Sequence, residues 1–237
     1  MMSRIRFIVF SSPRSGSTAL REALHRHNGV TCCGEIFGKN RILSLPRHLL
    51  GATGAELLDE RNADPAAFAE RVFSAGRDPA IGFKLLPSQI VTLENASLFR
   101  LILEDTAIRI VFLWRRDLAR RYISERKFLE AGRRGGSEDE GDLVIDTEDM
   151  RADCRRYANL RRAMRTILMR EHFAEVYYED LAANDPQAFK SISDLLELSE
   201  PLAGLGDENT DRRNRGTVRV ANEQDLLDRC AYTIGQE

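Results

Sequence analysis

The segment "IRFIVFSSPRSGSTAL", from Ile5 to Leu20, decides the fold of this chain. Its apolar run Ile5–Phe10 predicts a buried strand, and the residues from about Ser17 to His27 have the pattern of a helix. A loop of small and turn-forming residues joins the two. A strand, a short loop and a helix in this order are typical of sites that bind an anion at the start of the helix.

The loop follows the frame of a nucleotide-triphosphate loop, GxxxxGK[ST], but it lacks the lysine. On that frame Gly16 is the second glycine and Thr18 the hydroxyl residue, whereas Ser11 replaces the first glycine and Ser17 replaces the lysine. Free amides at a helix start still favour an anion. Arg14 adds a permanent positive charge and a fork of donors. The loop therefore predicts a nucleotide anion with fewer charges at its reactive end, with a plain surface turn as the alternative.

Strand and helix patterns alternate along the rest of the chain. This alternation predicts an α/β fold, a P-loop-containing parallel sheet flanked by helices on both faces, with ligands at the carboxyl ends of the strands. A single domain spanning 1–237 is expected from the length. The further predicted strands are Val30–Glu35, Ala80–Leu86, Ala107–Trp114 and Glu175–Leu181, and the predicted helices cover most of 39–76, Asp117–Ala131, Thr147–Arg170 and a segment opened by Asp185-Pro186.

Composition restricts the classes of partner. The 35 basic and 37 acidic residues give a net charge of -2, which excludes a global positive field for nucleic acid, so any anion must be bound locally. No apolar run approaches a transmembrane span, and the amino-terminal run is too short for a signal peptide, so a cytoplasmic protein is expected. None of Cys32, Cys33, Cys154 and Cys230 forms a CxxC pair, and reduced cysteines that serve packing are expected.

Two arginines follow the predicted strand at the position where a kinase-like enzyme carries an acidic residue for magnesium. Arg115 and Arg116 would repel a metal ion and attract a second anion, so the residues predict two separate anion subsites without magnesium. Ser124 lies in the second turn of the next helix, within reach of Arg116. Arg120 and Arg121 are expected on a solvated basic face.

These motifs resemble those of the PAPS-dependent sulfotransferases. The resemblance lies in "PRSGST" after the first strand, in an arginine with a serine eight residues later in "RRDLARRYIS", and in "YEDL" followed by "NDPQAFKSISDLLEL". "PRSGSTAL", "GEIFG" and "RRYIS" look like the bacterial carbohydrate branch, which includes nodulation-factor, trehalose and lipopolysaccharide sulfotransferases. The resemblance extends from about Ile5 to Leu198.

The resemblance implies a donor, 3'-phosphoadenosine 5'-phosphosulfate (PAPS), and no metal. It implies a carbohydrate or glycolipid acceptor. By similarity, one group of residues holds the 5'-phosphosulfate, Arg116 and Ser124 hold the 3'-phosphate, and a carboxy-terminal basic loop with Arg215 and Gly216 closes over the donor. That loop departs from the Arg-Lys-Gly form of the cytosolic branch. The residues implied to hold the 5'-phosphosulfate are Arg14, Ser15, Gly16, Ser17 and Thr18.

Sulfuryl transfer also needs a base and a positive charge near the leaving oxygen. The resemblance implies Glu35 in "CCGEIFG" as the base; the alternative is that Glu35 only caps or hydrogen-bonds the next turn. Arg14 is expected to stabilise the negative charge on the leaving phosphate. Lys84 either reaches into the cleft as a helper or extends its ammonium to solvent. The carboxylates of "YYED", from Tyr177 to Asp180, are expected to support the arginine-rich loops.

Two other functions stay open at the level of sequence. A P-loop kinase of small molecules is one, although the absent lysine argues against it. A non-catalytic nucleotide-binding domain is the other. The segment "GRRGGSEDEGD", from Gly132 to Asp142, reads as a solvated loop or as a lid over the acceptor.

Overall fold

One parallel sheet organises the chain. A computed structural model describes residues 4–51, 54–134, 142–205 and 218–229. Within these residues the strands are paired in the order β2-β3-β1-β4-β5, and every pairing is parallel. The carboxyl ends of all these strands therefore lie at the same edge of the sheet. The strands are β1 (Ile5–Ser11), β2 (Val30–Glu35), β3 (Ala80–Leu85), β4 (Arg109–Trp114) and β5 (Phe173–Tyr177).

Helices fill the connections between the strands. Several begin at the capping signals in the sequence: Asp64 accepts hydrogen bonds from the amides of Ala66 and Ala67, and Asp185 accepts one from Gln187. The described helices are α1 (Ser17–Arg26), α2 (Arg47–Leu50), α3 (Gly54–Ala63), α4 (Pro65–Ser74), α5 (Pro87–Ile90), α6 (Ala96–Glu104), α7 (Leu118–Arg134), α8 (Thr147–Leu168), α9 (Tyr178–Ala182), α10 (Pro186–Leu195) and α11 (Glu223–Arg229), with a 3-10 turn at Leu93–Asn95.

The sheet buries a hydrophobic core on each face, as the alternation of side chains along a strand requires. On β1, Phe7 and Val9 pack in one core with residues of α1 and α10, whereas Ile8 and Phe10 pack in the other with residues of α4, α6 and α8. Burial of each such side chain contributes roughly 1.5–3 kcal/mol. The expected α/β fold with helices on both faces is thus confirmed.

The prediction that the last strand extends to Leu181 is wrong, because β5 ends at Tyr177. Pairing with β4 stops at Trp114, which lies opposite Tyr177, so the backbone beyond Tyr177 has no strand to pair with. The residues of "YEDL" begin α9 instead. This early turn brings their side chains to the edge of the sheet where the strands end.

The prediction of a solvated face for Arg121 is also wrong, whereas Arg120 is exposed as expected. The side chain of Arg121 is 0% exposed, and its guanidinium forms ion pairs with Glu125 and Asp153. It also lies 3.6 Å from the centroid of the Tyr157 ring. Packing of α8 against α7 covers it, and the carboxylates from both helices make the burial of its charge tolerable.

Cys32 and Cys33 give a test of the core. The thiols of Cys32 and Cys33 are free and fully buried, on opposite faces of β2, as expected. Cys154 is also free and buried. Cys230 lies outside the described residues. Burial raises the pKa of both Cys32 and Cys33, that of Cys33 to about 12.

We expect iodoacetamide at pH 8 to leave both thiols unmodified in the native protein and to label them in urea, as measured by peptide mass spectrometry. Because the unfolded chain releases these protons near pH ~8.5, their burial also lowers the free energy of unfolding as the pH rises from about 8.5 towards 12. Rapid labelling of the native protein at pH 8 would contradict the buried environment.

Candidate functional site

The ends of the strands gather the predicted site residues at one edge of the sheet. Ligands of parallel α/β proteins bind at this edge because the loops there come from consecutive crossover units. Each described strand contributes. The contributing residues are 12–16 after β1, Glu35 at the end of β2, Lys84 in β3, Arg115 and Arg116 after β4, and Tyr178 after β5.

The loop between β1 and α1 has the conformation of an anion-binding turn. Arg14 and Gly16 both have left-handed backbone, with φ of 60° and 79°. The Ser15 hydroxyl is buried and donates to the carbonyl of Ser12 at 2.6 Å, which closes the turn. Gly16 precedes α1 without a side-chain cap, so the first amides of the helix stay available to a ligand.

Further polar groups lie beside this loop. Ser17, the first residue of α1, is buried. The hydroxyls of Ser11 and Ser12 are also buried, and in the described part of the chain they have no hydrogen-bond partner. Buried hydroxyls without partners are rare in proteins, and the full burial of these two keeps them from direct contact with a ligand in the cleft.

Tyr178 packs directly against the loop glycine. A Cβ atom on Gly16 would lie 2.3 Å from Cδ2 of Tyr178. The guanidinium of Arg115 lies over the same ring, 4.8 Å from its centroid, and its Nε is 3.7 Å from Glu179. Burial lowers the pKa of Arg115. Tyr178 therefore connects the loop after β1 to the arginine after β4, a contact that no sequence motif indicated.

Arg14 and Ser124 meet across the cleft. Nε of Arg14 donates to the Ser124 hydroxyl at 3.1 Å, and the guanidinium lies 5.1 Å from the centroid of the Phe128 ring. These two residues were predicted to lie in different subsites. Their contact brings the loop after β1 and the helix after β4 together at the same edge of the sheet.

Lys84 joins the predicted base to the start of α1. Its ammonium lies 2.8 Å from the Glu35 carboxylate and donates to the Thr18 hydroxyl at 3.3 Å. The residue is only 7% exposed. Of the two alternatives for Lys84, the structure therefore supports the one in which the side chain reaches into the cleft.

A β-bulge produces this contact. Cys33 pairs with Phe83 and Glu35 pairs with Lys84, so Gly34 is an extra residue in β2. A Cβ atom on Gly34 would lie 2.6 Å from the carbonyl oxygen of Leu43, and only glycine fits there without movement. The extra residue brings Glu35 alongside Lys84.

Gln89 is a second contact of Glu35 that no sequence motif indicated. Its amide nitrogen donates to Glu35 at 3.2 Å, and its amide oxygen accepts from the backbone N–H of Leu86 at 2.9 Å. Because the Leu86 N–H can only donate, the amide oxygen must face it and the amide nitrogen must face the carboxylate. Glu35 is thus held between a lysine and a glutamine.

The "YYED" carboxylates support the arginine loop, as predicted. Asp180 pairs with both terminal nitrogens of Arg116, at 2.5 and 2.8 Å, and these hydrogen bonds raise the pKa of the guanidinium. The Arg116 guanidinium also lies 4.0 Å from the centroid of the Tyr177 ring. The Glu179 carboxylate accepts from the backbone N–H groups of Arg116 and Asp117 at 3.0 and 3.2 Å.

Two predictions fall where the structure gives no description. Arg215 and Gly216 lie outside the described residues, as does most of the acidic segment within 132–142. The described residues contain no group of three or more His, Cys, Asp or Glu side chains that could hold a metal ion. None of the described helices is both long and apolar enough to cross a membrane.

Comparisons with known proteins add distant likenesses. No protein-family model and no curated protein matches the chain. Among solved structures the chain is similar to a sulfotransferase from Alicyclobacillus acidocaldarius, with 14% identity over 84% of this chain and 83% of that one and a TM-score of 0.49. It is also similar to a sulfotransferase domain from the curacin biosynthetic pathway, with 16% identity over 97% and 99% of the two chains and a TM-score of 0.46. Likenesses this distant carry no argument about activity.

Gly16→Ala should destabilise the protein because the new methyl group meets Tyr178 and the backbone is left-handed at this position. We expect the free energy of unfolding to fall by about 2–4 kcal/mol, measured by urea denaturation. Gly132→Ala is the matched control, since a Cβ atom there has open space and Gly132 lies within α7. It should stabilise the protein by about 0.5–1 kcal/mol, and equal effects of the two changes would contradict the packing described here.

Proposed function

We propose that the protein is a sulfotransferase that moves a sulfuryl group from PAPS to a hydroxyl of a carbohydrate or glycoconjugate. The observation that carries the proposal is the position of Lys84, whose ammonium contacts both Glu35 and Thr18. Lys84 thus bridges a carboxylate that could accept a proton and the start of α1, where an anion would bind. An acceptor hydroxyl between the two would be close to both its base and the donor.

The loop after β1 suits the phosphosulfate end of the donor. The uncapped amides at the start of α1 would bind its oxygens, together with the side chains of Arg14 and Thr18. A phosphosulfate has a lower charge than a triphosphate, which agrees with the absence of a lysine at Ser17.

Arg116 and Ser124 form the proposed subsite for the 3'-phosphate. The Asp180 carboxylate holds the Arg116 guanidinium through two hydrogen bonds, which reduces the freedom that binding would otherwise remove. Ser124 already accepts a hydrogen bond from Arg14, so its hydroxyl hydrogen is available to a phosphate oxygen.

Different residues accept the proton, stabilise the leaving phosphate and orient the base during the transfer. Glu35 accepts the proton of the acceptor hydroxyl as the new sulfur–oxygen bond forms, and the bond from sulfur to the bridging oxygen of the leaving phosphate breaks. Arg14 and Lys84 stabilise the negative charge that develops on that phosphate. Gln89 and Lys84 orient the carboxylate through the contacts at 3.2 and 2.8 Å.

Ligand-dependent melting separates this function from a kinase. We expect 3'-phosphoadenosine 5'-phosphate to raise the melting temperature and ADP and magnesium-ATP to have little effect, because only the first ligand carries both a 3'-phosphate and a 5'-phosphate.

Arg14→Ala and Arg116→Ala should each weaken the binding of 3'-phosphoadenosine 5'-phosphate by about one to two decades, from the loss of about 1.5–3 kcal/mol per charge-assisted contact. Arg120→Ala is the control, since this neighbour is exposed. Stabilisation by magnesium-ATP alone would favour the kinase.

Glu35→Gln tests the base. Release of 3'-phosphoadenosine 5'-phosphate from PAPS, measured with a panel of carbohydrate acceptors, should fall by about 10²–10⁴-fold because the amide cannot accept the proton. Binding of the donor product should be retained. The exposed Glu171→Gln is the control. Full turnover of the Glu35 variant would remove Glu35 from the mechanism, and a parent protein that binds the nucleotide without turnover would indicate a binding domain.

A further inference from the structure

Arg61 is a buried arginine whose hydrogen bonds go mainly to backbone carbonyls. It lies on α3 and is 3% exposed. Its guanidinium donates to four carbonyls of one short segment, which we call the 36–41 turn. The acceptors are the carbonyl oxygens of Ile36 at 3.2 Å, Gly38 at 2.6 Å, Lys39 at 3.3 Å and Arg41 at 3.4 Å.

The side chain of Asn62 fixes the plane of the same guanidinium. Its amide oxygen accepts from Nη2 of Arg61 at 2.7 Å and from Nε at 3.2 Å. Burial lowers the pKa of Arg61. A charge removed from water requires hydrogen-bond partners, so the carbonyls of the turn and the arginine stabilise each other.

The 36–41 turn starts immediately after Glu35. Ile36 and Phe37 are buried in the core, whereas the side chains of Lys39 and Arg41 are exposed. The Glu35 carbonyl in turn accepts from the N–H of Leu43, the residue that follows the turn by two positions. The backbone on the carboxyl side of Glu35 therefore depends on the shape of this turn, whose first residues are held by the core and whose later carbonyls are held by Arg61.

We infer that Arg61 is a positioning residue for Glu35, which holds the 36–41 turn so that the carboxylate stays against Lys84. The inference rests on the proposed function for its effect on catalysis. Arg61 does not belong to the donor loop, because its hydrogen bonds all go to the turn and to Asn62 in the described contacts. Its loss should therefore affect the chemical step and leave donor binding intact.

Arg4 provides a matched control. It also donates to carbonyls, those of Phe73 at 3.3 Å, Ala75 at 2.8 Å and Gly76 at 2.7 Å. It precedes β1 and so lies at the amino end of the strands, opposite the site. Arg4→Met removes a comparable set of hydrogen bonds without touching the turn.

Limited trypsin digestion tests the structural part of the inference without any assay of activity. The bonds after Lys39 and Arg41 are potential cleavage sites whose carbonyls Arg61 holds. We expect Arg61→Met to be cut there at least roughly tenfold faster than the parent, since cleavage follows local opening. Arg4→Met should be cut there at the parent's rate. Equal cleavage of the parent and Arg61→Met would overturn the inference.

Turnover and donor binding test the catalytic part. For Arg61→Met we expect kcat to fall roughly ten- to hundredfold, the effect of a displacement of about 1 Å, with affinity for 3'-phosphoadenosine 5'-phosphate within about twofold of the parent. Arg61→Lys, which keeps a buried donor, should recover part of the loss. An active parent with an equally active Arg61→Met would overturn the inference, as would parallel loss of donor affinity and kcat. A parent without turnover would instead refute the proposed function.

Discussion

Parallel pairing is the constraint on which the rest of this structure depends. Among the described residues, β1 lies between β3 and β4, and β2 and β5 are the outer strands. Because all the strands run in the same direction, residues far apart in the sequence reach one edge. Lys84 therefore reaches Thr18, and Tyr178 reaches Gly16. The helices that connect the parallel strands also bury both faces of the sheet. The positions of the site residues therefore depend on the packing of the two hydrophobic cores.

Charge in the site is organised locally, in a chain whose net charge is only -2. The arginines after β4 are held by carboxylates from α9, and the lysine in β3 is held by the carboxylate at the end of β2. Each of these cations is thus held in place by a carboxylate of the protein itself. Groups oriented in advance lose little freedom on binding and stabilise developing charge effectively. Arg61 extends the same principle to the backbone, since its acceptors are carbonyls of the turn after Glu35.

Sequence patterns predicted most of the fold because the strands are apolar and their boundaries carry turn residues. β2 lies at Val30–Glu35 as predicted, and the helices after Asp64 and Asp185 begin at their caps. The failures have tertiary causes. The strand predicted through Leu181 ends at Tyr177 because β4 ends opposite it. Arg121 resembles any surface arginine in sequence, and only the packing of α8 against α7 buries it.

The sequence by itself determined the loop after β1, its missing lysine and the arginines after the fourth strand, because these are local features of residue type and order, and the family resemblance added Glu35 as a candidate. Only the tertiary structure decided which of them meet. A bulge at Gly34 aligns Glu35 with Lys84, and Tyr178 contacts Gly16 from a distant part of the chain. Gln89 and Arg61 belong to no local motif. Their roles arise from contacts between segments that are remote in sequence, and such contacts exist only once the sheet has formed.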